Sequence, residues 1–406
     1  MLKVRKNLAG CYGNWLDTLL SSKPKTYSLL HPKWNDIQAW KEEAIKLFLQ
    51  FVNPPNYSVQ TEVETLETYV YDGLEIEKLE WQLPYGKKTQ AFFLKPEKIG
   101  GKLPGILALH DHGGNKYFGK SKITRVTDAI HPFLERYQQL YYGGRGWANE
   151  LARRGYGVLV HDVFPFESRK ISPDDLPGYA VTRMMLHPHE VKEVTLNDLE
   201  STTPCTAYNV SLSEPKQEID LYNAFAGQHE HVLAKSLFCS GLTWPGVCLA
   251  EDKFALDYLA SRSDIDPARI GCGGLSGGGL RTNYLAGTDK RIRCSVTVGF
   301  MSTWRDFALA TAYTHTWMIY IPILPNYMDY PDILAMRVPL PTLVISTRHD
   351  PLFTFDEVKS AEHILIESFK KAKKPECFKM VYYDGQHKFD APMQAEAFAW
   401  FDRWLN

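Results

Sequence analysis

Short apolar runs alternate with helical segments over most of this chain, an order that predicts a doubly wound, mostly parallel α/β sheet. Three observations support it. Gly105-Ile106-Leu107-Ala108-Leu109 and Gly157-Val158-Leu159-Val160 are continuous apolar runs, as expected of strands covered on both faces, and a helical stretch at 145–154 lies between them. After residue 250 the alternation resumes and continues to the closing amphipathic helix at 392–405. Before residue 100 the pattern differs, and 74–95 reads as an antiparallel hairpin.

Residues 1–69 read as an N-terminal helical arm: Trp40, Ala44, Ile45, Phe48 and Leu49 recur at helical spacing, and Pro54-Pro55 ends the run. In the hairpin, Leu74, Ile76, Leu79, Trp81 and Leu83 suggest a strand with a slip in phase, turned by Pro84-Tyr85-Gly86 into 89–95. The main domain is then 70–406. Its later strands are expected at 269–273, 294–298, 343–346 and 378–383, with helices at 252–259 and 356–372. Two stretches, 164–247 and 307–337, stand outside the alternation. Both leave the C-terminal edge of the sheet, where proteins of this architecture bind ligands, and are expected to form a cap there, or else extra core or an oligomer contact.

The 406 residues carry a formal net charge of −1, which gives no electrostatic reason to expect nucleic acid or an anionic membrane as partner. Seven cysteines without a C-x-x-C pair point to reduced, buried thiols. Leu8-Ala9-Gly10-Cys11 imitates a lipoprotein cleavage site, but Lys3, Arg5 and Lys6 leave no apolar stretch before it. With no apolar run of about 18 residues either, a cytoplasmic location is the expectation.

The chemistry centres on Gly274-Leu275-Ser276-Gly277-Gly278, a G-x-S-x-G elbow between a short strand and a helix. Such a turn needs glycine on both sides of a strained serine and lifts the hydroxyl clear of the sheet. A serine hydroxyl needs a base to take its proton and a carboxylate to orient that base. Asp350 follows the strand at 343–346, and His387 follows the strand at 378–383. Ser276, Asp350 and His387 therefore come in the order and on the elements that a triad on this sheet requires. The oxyanion donors are expected to be the main-chain N–H groups of Gly277 and, from His112-Gly113-Gly114, of Gly114, with His110 and His112 shaping that loop. His187-Pro188-His189 and His229-Glu230-His231 lack partners at zinc spacing, so no metal and no cofactor is expected.

In these motifs the sequence resembles the α/β-hydrolases of the dienelactone hydrolase and acetyl xylan esterase group. The likeness rests on Leu109-His110-Asp111-His112-Gly113-Gly114, Arg154-Gly155-Tyr156-Gly157-Val158, Asp266-Pro267-Ala268-Arg269-Ile270-Gly271, the elbow, Asp350 and Gly385-Gln386-His387. It implies the α/β-hydrolase fold and cofactor-free hydrolysis of a carboxylic ester through a Ser-His-Asp triad. Dienelactone hydrolases use cysteine as nucleophile; position 276 is serine, and Cys272 reads as a core residue of the strand.

The leading expectation is a serine carboxylesterase acting on short-acyl, acetyl-type esters, with a small-molecule ester, such as an acylated sugar, as partner. Phe164, Phe166, Tyr179, Trp244, Trp304, Trp317 and Tyr320 lie in or beside the insertions, and Trp317, His315 and Trp244 are the candidates for substrate contact. Two alternatives stand. One is a peptidase of the prolyl-oligopeptidase type, which shares the elbow and triad order but usually carries a β-propeller; the other is a non-catalytic binding module on the same fold.

Overall fold

The computed structural model describes residues 6–20, 24–57, 61–98, 100–185 and 216–406. Helices α1 (Gly13–Leu20) and α2 (Ile37–Val52) precede the sheet. Asp36 caps α2 by accepting the N–H groups of Gln38 and Ala39, and Asn53 ends it in the left-handed region. Trp40, Ala44, Phe48 and Val52, one on each turn, are fully buried. Burial of a large apolar side chain contributes about 1.5–3 kcal/mol, so this stripe fastens the arm firmly to the main core.

The strands are β1 (Val63–Tyr71), β2 (Leu74–Trp81), β3 (Thr89–Pro96), β4 (Leu103–Ala108), β5 (Gly157–His161), β6 (Ile265–Leu275), β7 (Ile292–Val298), β8 (Thr342–Thr347) and β9 (Phe378–Tyr383). They form one sheet in the order β1-β2-β3-β5-β4-β6-β7-β8-β9. β1, β2 and β3 pair antiparallel, as does β3 with β5, and β4 to β9 run parallel. The chain passes from β4 outward to β5, then back across β4 to β6, so the order reverses at β4. The crevice above that reversal, at the C-terminal ends of β4 and β6, is where a ligand site belongs in such a sheet.

The helices over the sheet are α3 (Pro132–Tyr142), α4 (Trp147–Arg153), α5 (Gly178–Met185), α6 (Lys216–Cys239), α7 (Trp244–Ser261), α8 (Gly277–Thr288), α9 (Trp304–Leu309), α10 (Tyr330–Ala335), α11 (Phe355–Lys371) and α12 (Ala391–Leu405). One core takes its residues from α2, α7, α8, α10 and α11, the other from α4 and α12. A third, smaller cluster joins Tyr117 and Phe118 to Leu134 of α3 and to Ile219, Tyr222, Phe225 and Ala226 of α6. Among the described residues no single helix is long and apolar enough to cross a membrane; α6 and α7 qualify only together, bent by 85°.

Several expectations change here. β1 was not anticipated, and it crosses the boundary drawn at residue 69. It is an edge strand whose residues Glu64 to Thr68 are all exposed, so it has no apolar alternation to reveal it. The phase slip in β2 is not a bulge, because its register with β3 is continuous from Leu74↔Pro96 to Trp81↔Thr89. Instead Leu74 and Ile76 face one core, and Leu79 and Trp81 face the other. α3 was not anticipated either, and α7 begins at Trp244, so the last residues of the 164–247 stretch belong to a sheet-covering helix. The described cysteines are all free thiols, and Cys272 is buried in β6, its thiol pushed by burial up to about 12. Cys205, His187 and His189 lie outside the described residues.

Candidate active site

β6 runs into Ser276, which caps the N-terminus of α8 with φ 56° and ψ −119°. A side chain is strained in that region, and here the surrounding backbone imposes it. Ser276 N–H donates to the carbonyl of Val298 at 2.9 Å, and its own carbonyl accepts from Leu280 at 2.9 Å. The two flanking glycines are needed for close approach. A Cβ on Gly274 would lie 2.2 Å from the Leu109 carbonyl oxygen, and one on Gly278 would lie 2.1 Å from the same atom. Gly278→Ala is therefore expected to push the end of β4 away from the elbow. Urea denaturation should show a loss of about 1–3 kcal/mol or more, the usual cost of overpacking against unyielding atoms; an unchanged midpoint would show that the two backbones can part freely.

His387 Nδ1 lies 2.6 Å from Asp350 Oδ2, with the carboxylate side chain 6 % exposed. Asp350 Oδ1 also accepts the N–H of Leu352 at 3.0 Å, which fixes the carboxylate plane. With Nδ1–H donated to the carboxylate, Nε2 is left as the acceptor nitrogen. Nε2 is buried and has no hydrogen-bond partner among the described residues. The imidazole rests on the turn after β7: a Cβ on Gly299 would be 3.0 Å from His387 Cε1 and 3.2 Å from Leu275 Cδ1. The elbow and the histidine thus share the 298–299 turn. Asp384, the other acid on this strand, has a side chain 88 % exposed and pairs with Arg348 at 3.5 Å.

The oxyanion loop follows β4. Gly277 and its neighbours at the head of α8 present N–H groups without intrahelical partners. Gly114 does not join them, because its N–H is donated to His112 Nδ1 at 3.0 Å. The main-chain nitrogen of His112 lies beside the head of α8, 2.8 Å from where a Cβ on Gly277 would stand. That hydrogen bond counts against Gly114 as the second donor and leaves the His112 N–H as the candidate. Sequence reasoning missed this because the loop's path depends on groups distant in the chain. Lys122, fully buried, donates to the carbonyls of His112 and Asn115 at 3.1 and 3.2 Å. Asp111 accepts the hydroxyls of Tyr137 and Tyr142. Burial alone would raise the Asp111 carboxyl, but Lys122 and the two hydroxyls hold it below the ordinary range.

Beneath the loop, Arg281 of α8 grips Asp252 of α7 through Nε at 3.1 Å, and His161 Nε2 meets Asp252 at 3.0 Å. Arg281 Nη1 reaches the His110 carbonyl at 3.4 Å, so α8 and the loop after β4 are tied through one buried ion pair. None of this is legible locally, since the partners are separated by long stretches of chain.

The three substrate-contact candidates separate. His315 is in the electrostatic neighbourhood of Asp350, His387 and His112, and burial pushes it down to about 4, so it is neutral near pH 7. Its Nε2 pairs with the Leu352 carbonyl at 2.9 Å, and Phe300, Phe307 and Phe353 surround its ring. Trp317 packs its ring between Phe238 of α6 and Tyr320, joining the two insertions. Trp244 is 1 % exposed, packed edge-on against Phe164, and is a core residue. Phe166 and Trp304 are likewise buried, and with Trp244 they belong to the main core rather than to an exposed substrate wall. His229 is buried and His231 exposed, on different sides of α6. A cavity of about 810 Å³ opens at Gly113 between α3 and the start of α6, but neither the elbow serine nor the His387–Asp350 pair lines it.

The model of the prolyl oligopeptidase family matches residues 242–406, which include Ser276, Asp350 and His387. Putative hydrolase YtaP of Bacillus subtilis (strain 168) is 25% identical over 346 residues, 84% of this chain and 92% of that protein. A putative acetyl xylan esterase from Bacteroides fragilis superposes with a TM-score of 0.62 at 16% identity, over 94% of this chain and 84% of that one. A glucuronoyl esterase from Solibacter usitatus gives 0.58 at 13% identity, over 94% and 97%. The chain has the α/β-hydrolase fold. It is a serine hydrolase of esterase-like fold. In this α/β-hydrolase both insertions rise from the sheet edge that carries the elbow, after β5 and after β7.

Proposed function

We propose that this α/β-hydrolase is a serine carboxylic-ester hydrolase, with Ser276 as nucleophile, His387 as base and Asp350 as the carboxylate that orients it. The observation that carries the reading is the 2.6 Å His387–Asp350 contact combined with a buried, unpartnered Nε2 beside the elbow. Nε2 takes the proton of Ser276 Oγ as the oxygen attacks the ester carbonyl. Negative charge then develops on the carbonyl oxygen, where the N–H groups of Gly277 and His112 receive it. His387 passes its proton to the departing alcohol and leaves an acyl-enzyme. Water repeats the sequence and releases the acid.

A short acyl group, acetyl or similar, fits this reading, and an acylated sugar is the alcohol side it favours. Phe300, Phe307 and Phe353 form an aromatic collar around a neutral His315, which is joined to Asp350 through Leu352 and supports a small, apolar acyl site there. The named activity of the acetyl xylan esterase, whose ester is a short acyl group on a sugar hydroxyl, supports this pairing of acyl group and sugar. Across p-nitrophenyl esters, kcat/KM should fall steeply, by about tenfold or more, from acetyl to octanoyl, since a closed acyl pocket rejects added methylenes. A profile rising towards octanoyl would refute the small pocket and leave the triad standing.

The match to the prolyl oligopeptidase family over 242–406 favours a second reading, a peptidase with the same triad. A fluorophosphonate probe tests the serine in both cases, and labelling should vanish in Ser276→Ala. Acyl esters compared with a prolyl p-nitroanilide peptide then divide esterase from peptidase.

A further inference from the structure

The insertion helix α6 lies along the oxyanion loop and holds it at two points seven residues apart. Asn223 Oδ1 accepts the main-chain N–H groups of Lys116 and Tyr117 at 2.9 and 3.0 Å. Two turns on, Glu230 Oε1 meets His112 Nε2 at 2.7 Å and Lys116 Nζ at 2.5 Å. Glu230 Oε2 also accepts the N–H of Trp317, from the second insertion, at 3.4 Å. Residues 223 and 230 fall on one face of a helix, so a single surface of α6 makes both contacts.

The bonds of His112 fix its protonation form. Nδ1 accepts the N–H of Gly114, so it carries no proton, and Nε2 must donate its proton to Glu230. Glu230 accepts it as a carboxylate: burial alone would raise its pKa, but His112 and Lys116 hold it well below the usual carboxylate range. The ring, so locked, sets the path of the loop and with it the direction of the His112 main-chain N–H.

We propose that α6 is a clamp that presets the oxyanion hole, and that Glu230 is its positioning residue, acting through His112. This rests on the esterase reading for its catalytic consequence, though not for the clamp itself. Nothing in Glu230 touches a substrate. Its effect is to hold a donor where charge appears in the transition state, so its loss should lower kcat with little change in KM.

The test uses the full-length protein with Glu230→Ala and Glu230→Gln, both checked for an intact fold by thermal melting. Hydrogen exchange at the amides of Gly114, Lys116 and Tyr117 should quicken by about tenfold or more in Glu230→Ala. With p-nitrophenyl acetate, kcat should fall about 10- to 100-fold and KM should stay within about threefold. The inhibition constant of an aryl trifluoromethyl ketone, which adds to the serine to give a tetrahedral oxyanion, should rise by the same factor. Glu230→Gln keeps an acceptor for His112 while losing the charge that Lys116 faces, and should fall between wild type and alanine. If the alanine variant does not fold, the glutamine variant carries the same measurements.

Unchanged exchange with kcat within twofold of wild type, in either folded variant, would overturn the clamp. So would a fall in kcat with full affinity for the trifluoromethyl ketone, since the loss would then lie elsewhere. A wild-type protein that hydrolyses no acyl ester would refute the esterase reading instead, and the exchange measurement would decide the clamp by itself.

Discussion

Ser276→Ala and His387→Ala each lower kcat on an activated acetyl ester by about 10⁴-fold or more, while the melting temperature stays close to that of the wild type. The size follows from how the groups act. Without Oγ there is no acyl-enzyme, and without the imidazole nothing beside the elbow can take the serine proton. The two losses are not additive, because either one disables the same step; the double variant should be no slower than the worse single one. Residual turnover above the water rate comes from the oxyanion donors, which remain in both variants. Neither change should unfold the protein. Ser276 is 8% exposed and its two backbone bonds at the elbow need no side chain, and among the described residues the His387 ring makes its hydrogen bond only to Asp350. Near-normal kcat in either folded variant would refute the mechanism.

Asp350→Asn lowers kcat by about 10³- to 10⁴-fold. An asparagine of the same shape would offer His387 Nδ1 either a neutral carbonyl or an N–H. In the second case the imidazole turns its lone pair to Nδ1 and its proton to Nε2, towards the serine, where it can no longer act as base. In the first case the imidazolium formed during attack loses its balancing charge. Asp384→Asn is the matched control. Its carboxylate is exposed and holds only a 3.5 Å contact with Arg348, so kcat should stay within about twofold. A larger loss in Asp384→Asn than in Asp350→Asn would mean that the acid is wrongly assigned.

The repetitive part of this fold was legible because it is written in local periods. Buried parallel strands such as β4 and β5 are continuous apolar runs, and α12 has a regular apolar stripe. β1 escaped because an exposed edge strand buries too little to leave a pattern. In β2 the periodicity was read correctly but explained wrongly: two faces of one regular strand are covered at different ends, which only the layers on each side can reveal. The elbow was legible because its serine and flanking glycines are contiguous, even though the carbonyl that excludes a Cβ at Gly274 and Gly278 belongs to Leu109, far earlier in the chain.

The sequence by itself determined the parallel sheet, the elbow at Ser276 and the positions of Asp350 and His387 just beyond two strands. Each depends on short-range backbone geometry or on a side-chain period, and those are properties of contiguous residues. Only the tertiary structure decided that the Gly114 N–H is tied to the His112 ring. It also decided that Trp244 is core and that Glu230, in a His-Glu-His run suggestive of metal, grips a loop 118 residues earlier. Those outcomes turn on tautomers, buried charge pairs and the reach of one helix over a loop. Such interactions gain their strength from exclusion of water, which exists only once distant segments have packed together.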